Sequence, residues 1–261
     1  MQLTLFDLDH TLIPFDSGTS WFRYLMRIGV LDEADFAAQN LRFAQDYLAG
    51  RLDVHAFQRF CMSILARYRR QDLEAWRADF TAGIAAAIPL PARALVGHHL
   101  AAGDLCCIVT ASNDFVARAF ADSFGVPHLV ASRAATRGDG PLAPFSGEMT
   151  GAPSYGAGKV NRVAQWLASL GRHWDDFART RFYSDSVNDL PLLEQVSDPI
   201  AVAPDARLRA IAQARGWPIL EQVGPPAQGD AAVTARREAA TSCQPPAAAS
   251  LSVHVCVKGS P

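Results

Sequence analysis

An excess of charge of either sign is missing from this chain: 24 Lys and Arg residues stand against 26 Asp and Glu, a formal net charge of −2. No polybasic stretch accompanies that balance, so neither nucleic acid nor an anionic membrane is expected as a partner. Long hydrophobic runs are missing as well. No apolar segment reaches bilayer-spanning length, and Met1 leads into a strand pattern without a signal-peptide signature, which together predict a cytoplasmic protein. The five cysteines, Cys61, Cys106, Cys107, Cys243 and Cys256, are odd in number and scattered, and no pair has the spacing of a zinc site or redox motif. They read as structural, inert residues. What remains is an ordinary globular composition of 261 residues, 49% apolar, enough for one domain of α/β size and a smaller one.

The chain opens on Leu3-Thr4-Leu5-Phe6, a short apolar run that ends in Asp7-Leu8-Asp9-His10-Thr11. A strand ending this way delivers carboxylates to a sheet edge, where open α/β sheets place their ligand crevice. From Trp21 to about Ile88 the pattern becomes helical, with apolar spacing over 21–28, 33–49, 54–69 and 72–87, separated by Gly29, Gly50 and a polar turn at Arg70-Gln71. Helix and buried strand then alternate. A helix over 92–102 precedes a strand at 105–109, a helix at 115–124 precedes a strand at 128–131, and 132–151 reads as a β excursion or long loop. An amphipathic helix starts at Gly158-Lys159, short strands follow at 181–184 and 199–202, and a helix covers 206–215. Alternation of this kind predicts a parallel sheet with a helical insertion. From Gly224 onward Pro and Ala dominate without period, which predicts a disordered tail, with 252–257 as a possible short β segment.

Polar groups recur at the ends of these elements: Asp7, Asp9 and Thr11, then Thr110, Lys159, and Asp185 with Asp189. In a parallel sheet they can converge on one crevice, and their chemistry fits phosphoryl transfer through an aspartyl phosphate. A carboxylate attacks an anionic phosphate only if charge is compensated and the reactants are held in line, which makes Asp7 the expected nucleophile. Mg2+ on Asp7 and Asp185, with Asp189 in or near its shell, would offset the repulsion. Lys159 would place a point charge on the transferring group, and the Thr110 hydroxyl would donate to its oxygens. Asp9 would protonate the leaving alkoxide and then activate water.

Asp-Leu-Asp-His-Thr, Ile-Val-Thr, Lys159 and Ser-Asp-Ser-Val-Asn-Asp resemble, in order, the four motifs of the haloacid dehalogenase superfamily, over roughly residues 1–220. The resemblance implies a Rossmann-like parallel sheet core, formed by 1–15 and 89–223, with an inserted all-helical cap over 16–88 like that of the phosphoserine phosphatase branch. It also implies a Mg2+ site with the Asp9 backbone carbonyl as a further ligand. Dehalogenase members lack an acid at the position of Asp9 and ion-pumping ATPases carry Thr there, so the sequence looks like the phosphatase and phosphomutase side.

In phosphoserine phosphatases a Glu follows the nucleophile by nine residues and a cap Arg binds the substrate carboxylate. This chain has Asp16 at that offset, and the stretch from Gly50 to Arg59 is similar to the one holding that Arg, which nominates Arg59. Ser112 and Asn188, within the second and fourth motifs, are further candidate substrate contacts. Asp16 would suit a substrate ammonium group, or would cap the helix that follows it. The expected substrate is a small amino-bearing phosphate ester, histidinol phosphate or phosphoserine, acted on by a monomer or homodimer. The alternatives are a phosphotransferase or phosphomutase of the same superfamily, and a signalling module phosphorylated on Asp7.

Overall fold

The computed structural model describes residues 1–48, 51 and 53–223; the tail expectation for 224–261 lies outside the described residues, as do Gly50, Cys243 and Cys256. Seven strands form one sheet among them: β1 (Leu3–Phe6), β2 (Leu105–Asn113), β3 (His128–Thr136), β4 (Phe145–Thr150), β5 (Thr180–Ser184), β6 (Asp198–Val202) and β7 (Ile219–Leu220). Their order is β4-β3-β2-β1-β5-β6-β7, and every neighbouring pair is parallel except the antiparallel β3–β4 edge. The chain thus builds outward from β1 in one direction and then returns to build outward in the other. Phe6 is in register with both Ile108 and Tyr183, so Asp7, Thr110 and Asp185 leave the sheet at the same edge. That edge is the switch point where α/β sheets open a crevice.

Between β1 and β2 run α1 (Ser17–Arg27), α2 (Glu33–Leu48), α3 (Val54–Leu65), α4 (Arg70–Ile84) and α5 (Leu90–Ala101). The helices α6 (Asp114–Phe124), α7 (Ala157–Ser169), α8 (Leu190–Gln195) and α9 (Ala206–Arg215) follow. The polar turn read at Arg70-Gln71 is instead the first turn of α4: Arg69 is its N-cap, and its guanidinium pairs with Asp72 at 2.9 Å. Residues 132–151 are a β excursion, since β3 runs on to Thr136 and β4 returns against it. Among the described residues no single helix is long and apolar enough to cross a membrane.

The period of two along the strands divides the core between the two faces of the sheet. Phe6, Cys106, Ile108 and Tyr183 face a cluster shared with α1, α3, α4, α5 and α6, whereas Leu3, Leu5, Cys107, Val109 and Phe182 face α7, α8 and α9. Adjacent Cys106 and Cys107 therefore enter opposite layers, and burial pushes the Cys106 thiol up to about 12. Both behave as the inert hydrophobes expected. Aromatic rings join the insertion to the sheet layer: Trp21 stands edge-on to Phe115 at 5.8 Å and Phe80 to Phe120 at 5.8 Å.

One polar network crosses the apolar layer. Asp104 Oδ2 accepts from Thr4 Oγ1 at 3.1 Å and lies 2.7 Å from His99 Nδ1, which as partner of an acceptor-only carboxylate carries the proton. His99 Nε2 then accepts from the Tyr183 hydroxyl at 3.0 Å. Burial, only partly offset by Asp104, holds the imidazole below its ordinary value. The unfolded chain therefore binds this proton first, so stability should fall as pH drops below about 6.5, by up to about 1.4 kcal/mol per unit until the folded-state pKa is reached. Urea unfolding of the chain and of His99→Gln between about pH 7.5 and 5.5 checks this: the variant should lose that part of the slope, and equal slopes would assign the pH dependence elsewhere.

Candidate active site

At the end of β1 the Asp7 amide continues the ladder by donating to the Tyr183 carbonyl at 2.9 Å, which fixes where its carboxylate emerges. Asp7 Oδ1 accepts from Lys159 Nζ at 2.7 Å, and the same ammonium donates to Asp189 Oδ2 at 2.7 Å. All three side chains are buried, and Ser184 Oγ donates a further bond to Asp189 Oδ2 at 2.7 Å. Burial opposes charge on Lys159, but the ion pairs with Asp189 and Asp7 outweigh it and hold the ammonium above its ordinary range. For Asp7 burial dominates; Lys159 relieves it in part, while Asp189, Asp185 and Asp9 add repulsion, so the carboxyl sits well above the usual range.

The position of Lys159 depends on how α7 begins. Gly156 adopts φ of +53° before the first turn, and a Cβ on Gly158 would lie 2.3 Å from the Pro153 carbonyl oxygen. Only glycine permits that approach, which sets the helix start over the end of the sheet.

Asp185 is tied to the first motif. Thr11 Oγ1 donates to its Oδ1 at 3.1 Å and accepts from its backbone N–H at 3.0 Å, a two-way bond joining the segments after β1 and β5. Burial, opposed by Thr11 and reinforced by Asp189, pushes the Asp185 carboxyl up to about 6. Asn188 lies half-buried in the same loop, its backbone N–H donating to Ser186 Oγ at 3.2 Å.

Asp9 has a separate set of partners. Its Oδ1 accepts from the Ser17 N–H at 2.6 Å in the first turn of α1, and its Oδ2 from Ser112 Oγ at 2.9 Å and Thr110 Oγ1 at 3.2 Å. The Thr110 hydroxyl, expected to face a substrate oxygen, is thus turned onto Asp9, and it accepts from the Ser112 N–H at 3.1 Å. Burial and the charge of Asp16 raise the Asp9 pKa against the pull of Ser17 and Ser112. Asp16 caps α1, accepting from the Thr19 N–H at 2.6 Å, and its charge reaches Asp9 while it does so.

Arg59 is not brought to this cluster. It lies exposed on α3 and its charge acts on Asp53 at the start of that helix, because the buried face of α3 is set by Gln58, Cys61 and Leu65. The residue that reaches the second motif is its neighbour. Gln58 is buried and its Nε2 donates to the Ala111 carbonyl at 2.7 Å, while its Oε1 is buried without a hydrogen-bond partner. Gln58, Ser17 and Ser184 are polar groups at this edge to which the sequence assigns no role in the site.

Among the described residues no three His, Cys, Asp or Glu side chains form a ready metal cage. The donor set nonetheless suits a hard cation that takes few protein carboxylates, because Asp7 and Asp185 are oxygen donors whose burial and mutual repulsion a divalent charge would relieve.

Residues 4–194 match the haloacid dehalogenase-like hydrolase family. The chain is 41% identical over 220 residues to the histidinol-phosphatase of Neisseria meningitidis serogroup C (strain 8013), covering 84% of this chain and 98% of that protein. It is 43% identical to a protein with unknown function from Bordetella pertussis Tohama I, whose crystal structure superposes with a TM-score of 0.79 over 84% of this chain and 98% of that one. A substrate-bound phosphoserine phosphatase, 17% identical, shares the fold with a TM-score of 0.58 over 85% and 93% of the two chains. With a match that begins in β1 and ends in α8, this chain belongs to the haloacid dehalogenase-like hydrolase family.

Proposed function

We propose that the protein is a Mg2+-dependent phosphomonoesterase that works through a phosphorylated Asp7, with residues 1–15 and 89–223 as catalytic core and 16–88 as the cap that selects substrate. The carrying observation is the division of labour between two acids at one strand end: Asp7 on the ammonium of Lys159, Asp9 on three hydrogen-bond donors. Lys159 holds Oδ1 of Asp7 and leaves its other oxygen to attack phosphorus. The bond from phosphorus to the ester oxygen breaks as the Asp9 proton passes to the leaving alkoxide; Asp9 then takes a proton from the water that attacks phospho-Asp7 and releases phosphate. The upward shift of Asp9, caused by burial and the charge of Asp16, favours the protonated form that the acid step needs. Asp7, Asp185 and the Asp9 backbone carbonyl, with Asp189 close by, would hold Mg2+. When bound, the ion offsets the negative charge of the phosphoryl group against the nucleophile.

Among amino-bearing esters the reading favours histidinol phosphate over phosphoserine. A relative 41% identical to this chain and covered over 98% of its own length carries the histidinol-phosphatase name. The cation nominated for a substrate carboxylate, Arg59, is exposed on α3 and acts on Asp53, whereas Asp16 and the unpaired Gln58 Oε1 suit N–H donors of an amine or imidazole. The enzyme would act on this small metabolite in the cytoplasm. A phosphate-release assay with both esters should give kcat/KM at least about 100-fold higher for histidinol phosphate, abolished by EDTA and restored by Mg2+. Equal or reversed ranking would remove the substrate assignment, and full turnover in EDTA would remove the metal.

A further inference from the structure

We propose that a cavity of about 780 Å3 behind the second motif binds a small anion carrying two or more linked phosphates, at a site separate from the acid cluster. Five arginines line it, from four elements: Arg70 and Arg77 on α4, Arg118 on α6, Arg133 on β3 and Arg162 on α7. Asp114 is the one carboxylate in the lining, and it is already committed, accepting from the Ala134 N–H at 3.0 Å. Glu74 beside the cavity pairs with Arg70 at 2.8 Å and Arg77 at 2.6 Å, and Asp122 stands 3.7 Å from Arg118, so guanidinium groups still outnumber carboxylates. The chain as a whole has no such excess, its net charge being −2.

The guanidinium groups are held in place before any ligand arrives. Arg70 lies 4.3 Å from the centre of the Phe145 ring and Arg77 4.6 Å from that of Phe115, and Arg162 donates to the carbonyls of Ala152 and Thr150 at 2.6 and 2.8 Å. Fixing donors in advance reduces the ordering cost of binding. Arg133 differs: it is exposed, and among the described residues no hydrogen bond or ion pair engages its guanidinium. It also faces Arg162 as a like charge, and burial together with Arg133 lowers the Arg162 pKa. Two cations held together with a single shared carboxylate leave a positive region that an anion would neutralise.

Planar guanidinium forks match phosphate oxygens bidentately, and the volume falls in the range of roughly 300–1,000 Å3 typical of small-molecule sites. Cations contributed by four elements favour linked phosphates over a single one. The cavity touches none of Asp7, Asp9, Lys159 or Asp185, although Asp114 and Phe115 follow the second motif directly.

Calorimetric titration of the full chain in EDTA, with pyrophosphate in one arm and ATP in the other, tests the site. Binding in the micromolar range is expected, at least about 10-fold weaker in Arg133→Glu, whose turnover should match the parent. If Arg133→Glu does not fold, Arg118→Glu carries the same expectation. Tighter binding of ATP would show that a nucleoside contributes, and equal binding that the linked phosphates suffice; both support the site. No heat from either anion at about 1 mM, or an affinity that Arg133→Glu leaves unchanged, would overturn it.

Discussion

Asp7→Asn should lower turnover by about 10,000-fold or more while leaving a folded and slightly more stable protein. The amide keeps the volume of a buried side chain, but its oxygen cannot attack phosphorus to form an acyl phosphate. The stability arm has a definite sign. Burial and three neighbouring acids hold Asp7 well above its ordinary pKa, so its ionisation at neutral pH works against the fold. A neutral amide removes that repulsion, and Lys159 keeps Asp189 as its partner at 2.7 Å. Phosphate release and the urea midpoint, both in EDTA-treated and Mg2+-loaded protein, read the two effects separately. More than about 1% residual activity would displace Asp7 as nucleophile, while a large drop in midpoint would mean that its role is structural.

The site was legible where chemistry and chain geometry coincide. Asp7 and Asp9 follow an apolar run short enough to be a strand, and the parallel register of β1 with β2 and β5 brings Thr110 and Asp185 to the same edge. Other features depended on helix phase, which a motif does not carry. The nomination of Arg59 rests on the resemblance of its stretch to one that holds a carboxylate-binding Arg, yet Gln58, Cys61 and Leu65 lie at the spacing that selects the buried face of α3. Counting the period from those apolar positions would have pointed to Gln58. Composition carries a second signal: Lys159 and Lys258 are the only lysines in the chain, so a lysine opening a helix is itself an unusual feature here. Residues 132–151 stayed ambiguous because Gly147 interrupts β4. Its φ of +90° and the 3.4 Å approach of Ala66 to its missing Cβ show why glycine is there, since α3 packs against that strand. The turn expected at Arg70-Gln71 failed for a similar reason, because two charged residues solvate a first helical turn as readily as they make a loop.

Lys159→Met tests the other half of the electrostatic arrangement, and its effect on stability should be the larger. Methionine can follow the lysine stem through the buried channel but brings no charge, so Asp7 and Asp189 are left as unpaired carboxylates in the interior. Removing one partner of a buried pair costs about 3–5 kcal/mol, which is a large share of the stability of a domain this size. The protein would take up protons at Asp7 to limit that cost, so the loss should shrink as pH falls and the carboxyl titrates. Mg2+ should recover part of the loss, since a divalent cation on Asp7 supplies the missing counter-charge to the folded state alone. A double-mutant cycle decides whether the pairing seen in the structure is the cause. Lys159→Met combined with Asp7→Asn should be markedly more stable than the sum of the single changes, because the second change removes a charge that the first leaves unpaired. Additivity within about 0.5 kcal/mol would mean that the 2.7 Å contact carries no coupling and that Lys159 stabilises the fold by packing.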